Sequence, residues 1–401
     1  MKNRIENHCV YHYLFSRLPM YRIDQEVAKL AEDLSAPIIE ALHLDTDEIF
    51  EPPYPDVKPL LYKGNDKSQT YLLQFWFNDI ITTVLSLNQT NQDQDPLLYF
   101  QNVSNPNFPN PEGHVRFGEM TVLFARTKED TTIVQQITAA CSKTGFDDKL
   151  SRCQFKWGTM YFLPNMNRYV LLISDANNLP QGDMFLAFDF PMLEAIKQKL
   201  IYEEGESNKL KARDIEIESE LRARLQLIAK KLDGKEDSIS MIEEDLDKMD
   251  NAQAELYDNV SKIEAVLHTL TINIGNFKTY LGLIPVKQDS LFKPMPKKFD
   301  LIYENIETSL KYTKLLLPGI LKRQEAIQLK IDFLRQRAQE RSNKIEKSQN
   351  TLIAVLGVAI GVLQVLPEMN WKFRLLWMGL SGTATYVLVR LLDLKILKRR
   401  S

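Results

Sequence analysis

Apolar positions follow three successive patterns along this chain. Up to about residue 204 they come in short runs separated by polar, Pro-rich or Asn-rich stretches, as in strands with a few helices between them. His8–Phe15 (HCVYHYLF) and Gln69–Phe77 (QTYLLQFWF) are rich in strand formers. Val115–Arg126, Cys153–Leu163, Arg168–Ser174 and Asp183–Phe190 read as further strands. Helical spacing runs through Asp24–Leu44, where Val27, Leu30, Ala31, Leu34, Ile38 and Ala41 share a face, and through Asp130–Cys141. Pro52, Pro53 and Pro55 make a break, Asp79–Leu87 fits a strand or a helix, and Asn88–His114 reads as a loop. Pro191 suits the first turn of a helix that reaches about Glu204, since its missing N–H costs little there. The order β-α-β-β-α-β-β-β-α predicts an α+β domain over residues 1–204, a mainly antiparallel sheet with helices on one side.

Gly205–Asn208 reads as a short polar hinge, and beyond it the period becomes helical. Leu221, Leu225, Ile228, Leu232, Ile239, Ile242, Leu246, Met249, Leu256, Val260, Ile263, Leu267, Leu270 and Ile274 follow a three–four spacing that misses only at Lys235 and Gln253. Gly234 is placed to divide this stretch into two helices. Pro285, Pro294 and Pro296 make Tyr280–Lys298 a turn. A second long helix follows on Phe299, Ile302, Ile306, Leu316, Ile320, Ile327, Ile331, Leu334, Ala338 and Ile345, with Pro318 expected to kink or divide it. Residues 205–350 are thus predicted to form a long α-helical coiled-coil hairpin and stalk. The absence of Pro and Gly from Leu321 to Gln349 predicts one helix running straight to Thr351.

The third period is no period. Thr351–Leu366 and Leu375–Val389 are two apolar runs joined by a polar bend, and nothing else in the chain is so depleted of charge. They predict a two-helix transmembrane hairpin over residues 351–401, although each run is shorter than the roughly 20 residues a span needs. A buried helical hairpin is the alternative. Lys344 and Lys347 before the runs, and Lys395, Lys398, Arg399 and Arg400 after them, put both termini on the cytoplasmic side of a bacterial inner membrane, with the basic tail against anionic headgroups. Gly357, Gly361, Gly379 and Thr383 offer faces of close helix approach. Gln364 is the strongly polar side chain inside the first run, suited either to lining a pore or to bonding the hairpin together. Arg390 can pair with Asp393 at the interface.

Bulk composition narrows the function classes. Of 401 residues, 44% are hydrophobic and 26% charged, and the net charge of −3 gives no basic field for nucleic acid. Cys9, Cys141 and Cys153 are an odd set without CxxC spacing, which suits a reducing compartment. The beginning of the chain carries no apolar signal region. There is no GxSxG, GxxxxGK[ST], GxGxxG or HExxH, so no catalytic, cofactor or metal residues are assigned. On a strand His8 and His12 share a face and Cys9 lies on the other, which makes them ordinary sheet residues rather than a metal site. His43, Asp45, Asp47 and Glu48 read as a solvated helix end, Cys141 and Cys153 as small buried residues, and Trp76 as core.

Two resemblances follow. A cytoplasmic α+β domain, a helical hairpin, a stalk helix leading into an apolar hairpin and a basic C-terminus together resemble the layout of CorA-type divalent cation channels. That family carries Gly-Met-Asn at the outer bend, where this chain has Glu368-Met369-Asn370. The resemblance implies a channel with Met369 and Asn370 at its mouth, and the missing Gly departs from the magnesium-selective pattern. Cys9–Pro19 (CVYHYLFSRLP) with the helix after it, and Phe185–Tyr202 (FLAFDFPMLEAIKQKLIY), are similar to caspase-and-TPR-repeat-associated (CATRA) proteins of bacterial conflict systems. That resemblance implies a non-catalytic component working beside a caspase-like peptidase and TPR proteins, and the long heptads, the uninterrupted stalk helix and the missing active-site motifs make it a membrane-anchored sensor or adaptor, or a pore-type effector. The expected partners are therefore the membrane, those proteins, and other copies of the chain through the coiled coil.

Overall fold

A computed structural model describes residues 6–18, 24–47, 50–88, 106–127, 151–163, 167–232, 239–365 and 371–400. Ten strands form one sheet: β1 (Glu6–Arg17), β2 (Thr46–Asp47), β3 (Lys58–Asn65), β4 (Thr70–Phe77), β5 (Ile80–Asn88), β6 (Arg116–Arg126), β7 (Arg152–Phe155), β8 (Thr159–Leu163), β9 (Arg168–Ile173) and β10 (Val286–Asp289). The spatial order is β10-β7-β8-β9-β6-β1-β5-β4-β3-β2. Every pairing is antiparallel except β6 with β9, so the sheet is mixed.

Helices lie on both faces, not on one. Helix α1 (Asp24–Leu42) buries Val27, Leu30, Leu34 and Ile38 against Leu14, Leu72, Ile81 and Leu85. On the opposite face Tyr13 and Tyr169 meet Phe190, with ring centroids 5.3 and 5.0 Å apart, edge to face. Phe190 begins the long helix α3 (Phe190–Leu232) and follows helix α2 (Leu179–Met184) and a π-helical turn, Phe185–Asp189. Asp183–Phe190, read above as a strand, is therefore helical. A continuous apolar run fits a buried helix as well as a buried strand. Here Gly182 decides the matter by letting the helix sit down on the sheet: a Cβ in its place would collide with Ile173 and lie 3.0 Å from Phe124.

The expected hinge at Gly205–Asn208 is also helical, well inside α3, and Ser207 is buried there. Asp79–Leu87 resolves as the strand β5. Cys153–Leu163 is the hairpin β7–β8 rather than one strand. β3 and β10 were not anticipated. The Asp130–Cys141 helix, with Cys141, lies outside the described residues, as do Lys235 and most of the Asn88–His114 loop.

Among the described residues three more helices follow: α4 (Ile239–Leu283), α5 (Met295–Val365) and α6 (Trp371–Arg400). Pro318 does not divide α5, which runs on past Thr351 as expected. The chain falls into two compact units, Met1–Ile215 with Tyr257–Lys314, and Glu216–Leu256 with Leu315–Ser401. The first holds the sheet.

Among the described residues no helix is long and apolar enough to cross a membrane. This overturns the transmembrane hairpin, and with it the placement in a bacterial inner membrane with both termini cytoplasmic. The physical reason is length and polarity. Each run falls short of a span, α5 enters its run from the polar stretch Arg341–Asn350, and α6 opens on Trp371-Lys372 and carries Ser381, Thr383 and Thr385 inside its own run.

Candidate functional site

The chemistry-bearing residues of the sheet are separated by the strand pleat. On the α1 face His12 is 1% exposed, and its Nδ1 lies 3.1 Å from the Thr121 hydroxyl. Burial, with the Arg168 charge adding to it, pulls its pKa down to about 4, so the imidazole is neutral at neutral pH. On the other face the Cys9 thiol lies 3.0 Å from Ser86 Oγ and donates to the Leu87 carbonyl at 3.2 Å. Burial pushes this thiol up to about 12, which leaves little thiolate. The two residues cannot form a nucleophile–base pair across the sheet. The His8 side chain lies outside the described residues.

Beside Cys9 stands a group of tyrosines. Tyr11 donates to Asp183 Oδ1 at 2.7 Å, Tyr71 donates to Tyr11 Oη at 3.3 Å, and Tyr13 donates to the Leu186 carbonyl at 2.9 Å. The last bond uses a carbonyl in the π-helical turn, where the backbone ladder is displaced. A further rung joins Tyr169 to Glu194 Oε2 at 2.9 Å, with Lys197 Nζ 2.9 Å from Glu194 Oε1. Nearby, Tyr54 donates to Asp189 and Tyr280 donates to Asp56, and the two rings meet edge to face. Burial raises the pKa of Tyr11, Tyr13 and Tyr169 well above the ordinary value, and that of Asp183 and Asp189 as well. The hydroxyls therefore stay protonated donors, each matched to an acceptor on the helices above. This arrangement fixes α2 and α3 to the sheet. It holds no activated nucleophile.

Other predicted residues are dispersed. His43 follows α1 at a left-handed φ of 51°, and its carbonyl accepts from Asn65 Nδ2 at 3.1 Å. Asp47 pairs with Lys63 at 2.6 Å. Among the described residues no group of His, Cys, Asp and Glu could hold a metal ion. Trp76 is half-buried against the α1 cluster, with Lys58 Nζ 4.7 Å from its ring centroid. Cys153 is buried.

In the helical unit the heptad seam is spent inside the chain. Leu221, Leu225, Ile228, Ile242, Leu246, Met249 and Leu256 are buried, as are Ile320 and Ile331 of α5. Gln253, a miss in the apolar register, is buried too and donates to Gln324, which donates to Asp250. A groove of about 710 Å³ runs here, lined by Glu243, Asp247, Asp250 and Glu325, with Arg335 paired to Glu243.

The apolar hairpin of α5 and α6 exposes much of its apolar surface. Leu352, Ile353, Leu356 and Ile360 are 52–65% exposed, as are Trp371, Phe373, Leu376 and Leu380. A Cβ on Gly357, Gly361 or Gly379 would meet nothing within 4 Å; one on Gly382 would lie 3.6 Å from Val355. Thr383 Oγ1 donates to the Gly379 carbonyl of its own helix at 2.8 Å. Gln364 lies on α5, and Arg390, Asp393, Lys395, Lys398, Arg399 and Arg400 lie on α6, with side chains outside the described set. Met369 and Asn370 lie outside the described residues. No protein-family model matches the chain, and no curated protein matches it.

Proposed function

We propose that the chain is a non-enzymatic adaptor of a prokaryotic conflict system, working beside a caspase-like peptidase and TPR proteins. One observation carries this reading: the exposed apolar hairpin. A helix that is apolar nearly all round is found covered, and patches of this kind mark interaction sites. In the sheet, by contrast, the side chains capable of chemistry are bonded to one another. On this reading the sheet unit is the rigid scaffold and the helical unit supplies docking. The resemblance of Cys9–Pro19 and its following helix to CATRA proteins names the class of partner.

The test is capture of partners by the N-terminally tagged full chain from its native host, with and without Leu356→Ser and Trp377→Ser in the hairpin. Recovery of a peptidase or TPR protein in near-equal amount, lost in the double variant, is the expected result. Recovery of the chain alone, or capture indifferent to the hairpin, sinks the reading.

A further inference from the structure

The helix α5 carries two seams, and among the described residues only one of them is covered. The inner seam, through Leu317, Ile320 and Ile331, is buried. The second lies on the opposite side of the helix and steps by four and three residues through Leu315, Gly319, Lys322, Ala326, Leu329 and Phe333. All six are exposed: Leu315 is 78%, Leu329 70% and Phe333 51% open to solvent. The inner seam accounts for the apolar positions that the sequence pattern shows, so the outer one is read only once burial is known.

We infer that this outer seam pairs with the same seam of a second copy, as a parallel, in-register two-stranded coiled coil. The flanking charges select the occupant. With Gly319, Ala326 and Phe333 as one set of core positions and Leu315, Lys322 and Leu329 as the other, one rim carries Glu325 and Asp332. The other rim carries Arg323, Lys330 and Arg337. In a parallel pair each acidic rim residue faces the basic rim residue five positions on in the partner copy, Glu325 facing Lys330 and Asp332 facing Arg337. An antiparallel pair would set acid against acid and base against base. The seam is thus complementary to itself in one direction only. Within one chain the Arg337 guanidinium lies 4.5 Å from the centre of the Phe333 ring, so this rim charge already lies close to the seam. Gly319 and Ala326 allow close approach of the two helices. Lys322 at a core position lowers affinity and fixes the register, as polar core residues do.

The experiment uses the full chain and mild oxidation. Leu329→Cys should give a disulfide-linked dimer, whereas a mixture of Leu315→Cys and Phe333→Cys chains should give no mixed dimer. A cross-link in the mixture, or none in Leu329→Cys, overturns the parallel pair. By sedimentation, Glu325→Lys with Asp332→Lys should weaken dimerisation at least tenfold, and adding Lys330→Glu with Arg337→Glu should restore it. Failure to restore overturns the charge argument. Lys322→Leu should tighten the dimer; an unchanged or weaker one counts against the seam. These side chains face solvent in one copy, so helicity by circular dichroism should be the same in all variants.

Discussion

In the sheet unit Tyr11, Tyr13 and Tyr169 are buried, and each hydroxyl meets an acceptor on the helix packed above it. In the helical unit Leu329, Phe333, Leu352 and Trp377 stand half exposed or more. These three tyrosines are bonded within their own unit, whereas these apolar side chains of the helical unit stand open. The difference teaches where function can reside. Buried hydroxyls that meet their acceptors make that part of a core rigid and specific. An unpartnered helical seam stabilises its own fold little and is shaped to join another helix.

The largest way to break this contrast is in the sheet. Phe190 is fully buried between Tyr13, Tyr169 and Phe185. Phe190→Ala should destabilise the sheet unit by about 3–5 kcal/mol through lost transfer energy and the cavity left behind. The urea midpoint, followed by hydrogen exchange of the β1 and β6 amides, reads it. A loss within 1 kcal/mol would mean that α3 is not seated as described.

Acid is the next lever. His12 titrates near 4 when folded and near 6.5 when unfolded, so the unfolded chain binds the proton first. Its contribution is unchanged above pH 6.5 and is lost as pH falls from there toward 4, by about 2 kcal/mol between pH 7.5 and pH 5. Asp183 and Asp189 have raised values, so the folded chain takes up their protons more readily, and they act in the opposite sense. Comparing the pH dependence of urea midpoints in wild type and His12→Gln isolates the histidine. The variant should lose the steeper acid limb; equal slopes would mean that His12 is solvated.

A smaller effect is expected at the tyrosine group. Tyr11→Phe removes one donor to a carboxylate, with about 1–2 kcal/mol at stake. It should loosen α2 specifically, seen as faster amide exchange over Leu179–Met184. Exchange spread evenly over the sheet would count against that local role.

These particulars show what the sequence could disclose. β1 and β4 were legible because strand formers crowd into runs bounded by polar breaks. The long helices were legible because three–four spacing persists over many turns. β3, KPLLYKGN, hid because Pro59 and Gly64 break its pattern; Pro59 lies beyond the reach of the two-residue edge strand β2, which pairs only with Lys63 and Gly64. β10 is four residues within a Pro-containing turn, and only its pairing with β7 makes it a strand. Phe185–Asp189 misled because an apolar run has no period to read. Gly205 suggested a hinge because its cost in a helix, about 1 kcal/mol, is visible in sequence while the continuity of α3 around it is not. The apolar runs at 351–389 were legible as exceptional; that they fall short of spanning is a matter of length and of the hydroxyls they carry. The candidate docking seam on α5 was invisible, since only burial tells an inner seam from an outer one.

The smallest effect tests whether the hairpin glycines are kept for a partner. Gly357 lies inside α5 with nothing within 4 Å of an added Cβ, and Gly205 lies inside α3 in the same open state. Alanine at either should raise helix stability by up to about 1 kcal/mol, from the lower backbone entropy of the unfolded chain. Stability alone therefore does not distinguish the two. Partner capture does: Gly205→Ala should leave it unchanged, while Gly357→Ala should reduce it, because a methyl group holds apart two helices that a glycine lets touch. If Gly357→Ala stabilises the chain and captures as well as wild type, the open face at Gly357 is not where a partner seats. The contrast between the bonded tyrosines of the sheet and the open hairpin would then rest on the side chains of Leu352, Leu356 and Trp377 rather than on the glycine.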